Sequence, residues 1–273
     1  MTNQKVVLVT GASSGIGEAT AERLAKAGYK VYGTSRRGTQ AGKQSFDMIA
    51  LDVTSDESVV AAVQEVMRLE GRIDLLVNNA GFSVAPGGAE ESSIGQAQSI
   101  FDTNFFGIVR MTRAAVPHMR SAGGGRIINI GSVLGFVPMP YGALYAATKH
   151  AIEGYSESLD HELRIWGIRV SVIEPAYIKT PFNAHFLEPD AKLDAYREVR
   201  AAVKMRVNEV METAEEADTV AETVLKAASA AHPKLRYTPA GLASQLRLLR
   251  RFAPTDLFDA AIRKDLRLDT PTA

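Results

Sequence analysis

The chain has no cysteine among its 273 residues. Disulfides, thiol nucleophiles, cysteine-ligated zinc and iron–sulfur clusters are therefore excluded. It also lacks an excess of charge of either sign, since 31 basic residues face 31 acidic ones. That balance argues against a nucleic-acid footprint, or an attraction to anionic membranes, spread over the whole chain. No apolar run reaches the ~18 residues of a membrane-spanning helix. The apolar stretch Lys5–Thr10 follows a polar tetrapeptide and is too short for a signal-peptide core. A soluble, cytoplasmic protein without a membrane span is expected. What is present is a globular composition, 46% hydrophobic and 23% charged, which supports a sizeable core.

Short β-branched runs alternate with helical patterns. Strands are expected at Lys5–Thr10, Lys30–Thr34, Phe46–Leu51, Ile73–Val77, Arg126–Ile130, Ile168–Glu174 and Leu235–Thr238. Helices are expected at Gly15–Gly28, Val59–Leu69, Ile100–Met119 and Leu144–Ile165, with Pro117 ending or kinking the third. This order predicts a single α/β domain: a doubly wound, Rossmann-type parallel sheet of about seven strands with helices on both faces. Residues 181–212 break the alternation and are expected to form a substrate-side lid. Residues 240–273 are expected to form a C-terminal helical extension. Its Leu246, Leu248, Leu249 and Phe252 dock on the domain and leave Arg247, Arg250 and Arg251 in solvent.

Two stretches carry chemistry. Thr10-Gly11-Ala12-Ser13-Ser14-Gly15-Ile16-Gly17 joins the first strand to the first helix. Its glycines permit a tight turn, and the free N–H groups at a helix start favour a phosphate. The spacing is neither G-x-G-x-x-G, because Thr20 stands at the last position, nor a Walker A loop. The lesser alternative is a glycine-rich turn without a ligand. Tyr145 and Lys149 lie at i and i+4 on one helical face. A cation beside a phenol favours the phenolate, so the pair can move a proton. Taken alone, it is also an amphipathic helix with a half-buried Tyr and a solvated Lys. His150 and His161 stand ~16 Å apart along the helix axis. The other histidines show no ligand spacing, and no catalytic metal is expected.

The glycine loop resembles the T-G-x-x-x-G-x-G loop of the short-chain dehydrogenase/reductase family. Further matches follow in the family's order. Asn78-Asn79-Ala80-Gly81 follows the fourth strand, Asn104 lies in the long helix, and Ser132 follows the fifth strand. Tyr145-x-x-x-Lys149 lies 13 residues beyond that serine. Glu174-Pro175-Ala176-Tyr177-Ile178-Lys179-Thr180 is similar to the family's P-G-x-x-x-T segment, with Ala176 in place of glycine. The stretch from Ser132 to Thr180 also resembles hydroxysteroid and retinol dehydrogenases. The resemblance implies a nicotinamide cofactor held by Gly11, Ser13, Ser14, Gly15, Ile16, Gly17, Ser35, Arg36, Asp52, Val53, Asn79, Ala80, Gly81, Tyr145, Lys149, Pro175, Ile178 and Thr180. It implies a catalytic set of Asn104, Ser132, Tyr145 and Lys149. In that set Tyr145 is general acid in reduction, Lys149 lowers its pKa, Ser132 orients the carbonyl, and Asn104 supports a water-linked proton relay.

An acidic residue at the end of the second strand favours NAD, because it binds the adenosine ribose. Ser35 stands there instead and Arg36 follows, so NADP(H) is expected over NAD(H), unless both arginines of Arg36-Arg37 are merely solvated. Asp52 is expected at the adenine amino group, or as a helix cap in competition with Thr54 and Ser55. Val133–Pro140, with Phe82, Val84, Tyr177, Phe182 and Phe186, gives the substrate side an apolar wall suited to a hydrophobic ketone or alcohol. The expected activity is NADPH-dependent oxidoreduction of a small-molecule carbonyl or alcohol by a homodimer or homotetramer. The alternative is a catalytically silent NADP(H)-sensing regulatory or interaction protein.

Overall fold

β1 (Val6–Val9) is buried along its whole length, and its residues divide by parity. Val6 and Leu8 join one apolar cluster, Val7 and Val9 the other. A strand covered on both faces needs an unbroken apolar run, which Val-Val-Leu-Val supplies. In the computed structural model, which describes residues 4–38, 44–182, 186–239 and 241–268, six further strands extend the sheet. They are β2 (Lys30–Ser35), β3 (Asp47–Ala50), β4 (Leu75–Asn78), β5 (Gly125–Ile130), β6 (Ile168–Ile173) and β9 (Arg236–Tyr237). A separate pair comprises β7 (Ile178–Lys179) and β8 (Glu215–Glu216). The large sheet is parallel throughout, in the order β3-β2-β1-β4-β5-β6-β9. All seven expected strands lie in it.

Helices α2 (Asp56–Glu70), α4 (Gly107–Ser121) and α5 (Ala143–Leu163) cover one face through Val63, Met111 and Leu159. Helices α1 (Gly15–Lys26) and α7 (Ala217–Ser229) cover the other through Leu24 and Val224. Strand order reverses between β1 and β4, so the chain leaves their carboxyl ends in opposite directions. A crevice opens there, and it lies between Thr10 and Asn79.

The axial position of α5 is fixed by polar bonds. Asn78 Nδ2 donates to Asn129 Oδ1 (2.8 Å), and Asn129 Nδ2 donates to Ser156 Oγ (2.9 Å). One turn on, Asp160 is fully buried and accepts from Arg169 Nε (2.8 Å), the Val170 amide (2.9 Å) and Arg164 Nε (3.0 Å). Lys149, Ser156 and Asp160 share the buried face of α5.

The expected helix Ile100–Met119 differs. It begins as α3 (Ile94–Phe101), capped by Ser93, and widens into a π turn over Asp102–Phe106 before α4. The π turn carries Asn104 inward, where it is buried. Pro117 does not end the helix, which runs on to Ser121. Burial of Met111, Ala115 and Met119 on both sides of the proline outweighs one lost backbone bond. Beyond β7, α6 (Arg197–Glu212) packs Val203 and Val207 against Leu266, which follows α9 (Thr255–Asp265). α8 (Gly241–Phe252) precedes α9. Within the expected lid and extension, residues 183–185, 240 and 269–273 lie outside the described residues. Among the described residues no helix is long and apolar enough to cross a membrane.

Burial pushes the Asp160 carboxyl up, but Arg169, the Val170 amide and Arg164 together bring it down to about 2. A depressed carboxyl contributes stability that is complete above its unfolded pKa and is lost as pH falls through the folded one. Asp160→Asn is expected to cost about 3 kcal/mol of stability in urea unfolding at neutral pH. Its difference from the unsubstituted protein should shrink as pH falls from about 4 toward 2.

Candidate active site

Ser14 begins α1 in extended conformation without a side-chain cap. Gly11 and Gly15 adopt positive φ of 66° and 58°, which suits glycine in a turn this tight. Gly17 has no room for a side chain: a Cβ there would lie 2.2 Å from the Gly11 carbonyl oxygen and 2.5 Å from Asn79 Nδ2. Ser13 and Ser14 are exposed beside it, and Ile16 is half-buried. Thr180 lies against Gly15, its Cβ 3.1 Å from where a Gly15 Cβ would be. An uncapped helix start approached by bare backbone fits a phosphate group.

Asn79 ties two loops together. Its Nδ2 donates to the Thr10 and Gly11 carbonyls (both 3.0 Å), while Thr10 Oγ1 accepts from the amides of Asn79 (2.9 Å) and Ala80 (3.0 Å). These four bonds tie the loops after β1 and β4 across the crevice. Gly81 follows, close under Asn104 Oδ1.

At the end of β2, Ser35 Oγ donates to the Gly38 carbonyl (3.3 Å) and Arg36 is exposed. Asp52 makes a turn rather than a helix cap: its Oδ1 accepts from Thr54 N (2.9 Å) and Thr54 Oγ1 (2.7 Å). Ser55 caps α2. The Thr54 bonds, aided by the charges of Arg36 and Arg110, hold the Asp52 carboxyl below its ordinary value. Val53 packs on Gly107.

Lys149 is buried, and its Nζ donates to the Ile130 carbonyl (2.9 Å) at the end of β5. Burial lowers this ammonium to about 8, with Glu153 opposing the shift. Its Nζ lies 5.4 Å from the centroid of the Tyr145 ring. Phe182 covers the same ring (centroids 6.0 Å apart) and meets Phe186 edge-on. Burial pushes the Tyr145 phenol up, opposite to the lowering expected from Lys149. The ammonium stands over the ring and is engaged by a carbonyl, so burial dominates.

Ser132, two residues past Ile130, is buried. Its Oγ accepts from Leu134 N (3.1 Å) and donates to the Pro175 carbonyl (3.4 Å), leading into Ile178 and Thr180. Asn104 is a clasp. Its Oδ1 accepts from Phe82 N and its Nδ2 donates to Phe82 O (both 2.9 Å) and to Thr148 Oγ1 (3.3 Å). Thr148 in turn donates to the Tyr145 carbonyl (2.7 Å).

Four buried acids, Glu91, Glu153, Asp160 and Glu174, have no counterpart among the expected residues, and two of them fasten loops at the site. Glu174, at the end of β6, pairs through both oxygens with Arg247 of α8. Arg247 is therefore not solvated, contrary to expectation; it also stacks over Phe136 (5.1 Å). The repeat Lys149–Glu153–Glu157 at i, i+4 was a readable sign of a charged face beneath the site. Of the residues expected to dock α8, Leu248, Leu249 and Phe252 are instead exposed, and Ala243 and Arg247 face the domain. Glu91 is also fully buried. It accepts from the amides of Gly88 (2.7 Å) and Leu193 (2.8 Å) and pairs with Arg200. It thereby clamps the chain before α6 over the loop after β4. The cleft left beside Tyr145, between Val84, Leu144 and Pro189, holds about 20 Å³, room for about one water.

A family model described as short chain dehydrogenase matches residues 5–191. The chain is 43% identical over 181 residues to a 3-ketodihydrosphingosine reductase of Bacteroides thetaiotaomicron, covering 66% of each. It is 38% identical over 197 residues to retinol dehydrogenase 8 of Bos taurus, covering 67% of this chain and 62% of that one. The aligned stretches thus leave a third or more of both relatives unmatched. Among solved structures, a short-chain dehydrogenase from Streptomyces avermitilis superposes over all of both chains with a TM-score of 0.80 at 30% identity. A 3-ketoacyl-(acyl-carrier-protein) reductase from Brucella melitensis, complexed with NADH, superposes with a TM-score of 0.72 at 29% identity, covering 86% of this chain and 96% of that one.

The glycine loop yields a paired test. Gly17→Ala forces backbone apart and is expected to cost about 2 kcal/mol. It should also weaken dinucleotide binding by about tenfold or more, read by fluorescence titration. Gly154→Ala, on the open side of α5 with nothing within 4 Å of the added methyl, is expected to raise stability by about 1 kcal/mol.

Proposed function

The chain belongs to the short-chain dehydrogenase/reductase family, and from that premise we propose that it moves a hydride between NADP(H) and a carbonyl or secondary alcohol of a hydrophobic substrate. The observation that carries this reading is the buried Lys149 ammonium beside the Tyr145 ring, at the strand end that bears Ser132. The glycine loop and the start of α1 hold the diphosphate. Asp52 and Val53 meet the adenine, Ala80 and Gly81 the adjoining ribose, and Pro175, Ile178 and Thr180 the nicotinamide end. Bound there, the nicotinamide supplies or accepts the hydride.

The chain's own groups handle the oxygen. In reduction Tyr145 Oη gives a proton to the substrate oxygen; in oxidation it takes one back. Ser132 Oγ turns from the Pro175 carbonyl, a long bond of 3.4 Å, to donate to the same oxygen as charge develops. Lys149, lowered to about 8, remains largely protonated at neutral pH, and its charge offsets part of the cost that burial puts on a Tyr145 phenolate. Asn104 keeps α5 against the loop after β4 and supports the proton path to Lys149.

Phe182 against Tyr145, backed by Phe186, favours an apolar substrate. The names of two relatives, a 3-ketodihydrosphingosine reductase and a retinol dehydrogenase, point the same way. The lid role goes to residues 181–212, whose Leu193 is fastened by Glu91 to the loop after β4, beside the small cleft at Tyr145. Ser35 at the end of β2 and the exposed Arg36 favour a 2′-phosphate over a bare ribose.

Tyr145→Phe is expected to lower NADPH-dependent reduction of an apolar ketone by about 1000-fold while cofactor affinity stays within about twofold. Near-native turnover would remove Tyr145 from the proton-transfer role. For the cofactor, kcat/KM with NADPH should exceed that with NADH by about tenfold, and Arg36→Glu should reverse the order. An NADH preference in the unsubstituted enzyme sinks the assignment.

A further inference from the structure

Hydride transfer as described makes no use of the ion pair between Glu174 and Arg247. Glu174 is fully buried, and its amide donates to the Tyr237 carbonyl (2.8 Å), which fixes its backbone to β9. Three charged groups face its carboxylate. Arg247 reaches it from α8, and Arg236 from β9 with Nε 3.6 Å from Oε1. Glu153 on α5 repels it. Arg236 is already committed, to Glu153 (2.9 Å) and Glu157 (2.8 Å). Two buried carboxylates therefore depend on two guanidinium groups, and α8 supplies the second.

This cluster lies directly beneath the segment that carries Ser132. A Cβ added to Gly131 or Gly135 would stand 3.2 Å from Glu153 Oε1. That oxygen has no hydrogen-bond partner among the described residues. Next to Glu174, the Pro175 carbonyl accepts from the Val133 amide (2.9 Å) and from Ser132 Oγ (3.4 Å). A shift of Glu174 is thus passed through one peptide to the Ser132 hydroxyl.

We propose that Arg247 of the C-terminal helix is a positioning residue for Ser132, acting through its grip on Glu174 and the Pro175 carbonyl. The proposal rests on the role given above to Ser132 in turnover. Without Arg247, ionised Glu174 competes with Glu153 for Arg236 and draws the 174–178 segment away from Ser132. Protonated Glu174 does not. Burial and Glu153 push the Glu174 carboxyl up, and loss of Arg247 pushes it further, so the defect of a variant lacking Arg247 deepens as pH rises and the raised carboxyl ionises.

The test compares Arg247→Met, Glu174→Gln and the double variant, with Arg251→Met as a control on the exposed side of α8. Readouts are kcat and KM for ketone reduction between about pH 6 and 9, NADPH affinity, and amide hydrogen exchange at residues 131–136 and 174–178. Arg247→Met should lower kcat about tenfold at about pH 8 and less at about pH 6, with NADPH affinity within about twofold. Exchange in both segments should quicken. The double variant should recover most of the rate and lose the added pH dependence, and Arg251→Met should match the unsubstituted protein. Unsubstituted kcat in Arg247→Met, an equal loss with and without the Glu174 carboxylate, or unchanged exchange would each overturn the proposal. If Arg247→Met does not fold, Arg247→Lys replaces it, with a smaller loss of the same pattern expected and unaltered exchange overturning. Absence of turnover in the unsubstituted protein refutes the functional reading instead, and the exchange comparison still decides whether Arg247 holds the two segments.

Discussion

Where α5 sits along the sheet decides everything at the site, and polar bonds in the dry interior decide where α5 sits. Asn78, Asn129 and Ser156 form a chain of side-chain bonds from β4 through β5 to the helix. Asp160 fastens the far end to β6. Each such bond adds only about 1 kcal/mol net, but leaving a buried partner unmet costs more. Apolar packing tolerates a small slide of one helix over a sheet; this seam does not. Its product is the delivery of Tyr145 and Lys149 to the carboxyl ends of β4 and β5, where the loops carrying Asn79 and Ser132 also emerge.

The two halves of the site are built on different physics. At the glycine loop the shape is set by bare backbone. Gly11, Gly15 and Gly17 are there because side chains would collide with Asn79, Thr180 or the loop itself. At the proton side, the levers are burial and charge. Tyr145 and Lys149 are both driven toward their neutral forms by loss of water. Glu153, one turn along α5, leans the other way on Lys149.

Much of this was legible in the sequence, for identifiable reasons. The seven strands announce themselves because each is a short apolar run ended by glycine or a polar turn, and a parallel sheet demands such runs. Gly17 was legible because close approach of backbone leaves no alternative residue. What was not legible is tertiary. Nothing in Asp102–Phe106 signals a π turn; it follows from how α3 and α4 pack. Pro117 reads as a stop until the burial of Met119 is known. Arg247 reads as a solvated face because its partner, Glu174, lies 73 positions away. Asn79 reads as a ligand contact, and that its amide also ties its loop to the one after β1 is visible only in the fold. The direction of the Tyr145 shift needed the location of the Lys149 ammonium, which a spacing of i and i+4 does not supply.

The Glu91 clamp has a thermal consequence. Its carboxylate is dry when the chain before α6 is down, held by two backbone amides and Arg200. Lifting that segment gives Glu91 and Arg200 back to water. The hydration of charged groups becomes less favourable as temperature rises, whereas apolar contact is the part that fades on cooling. The Glu91 fastening is thus biased to tighten with warmth and to loosen when cold, so heating holds the chain before α6 down more firmly than apolar contact alone would.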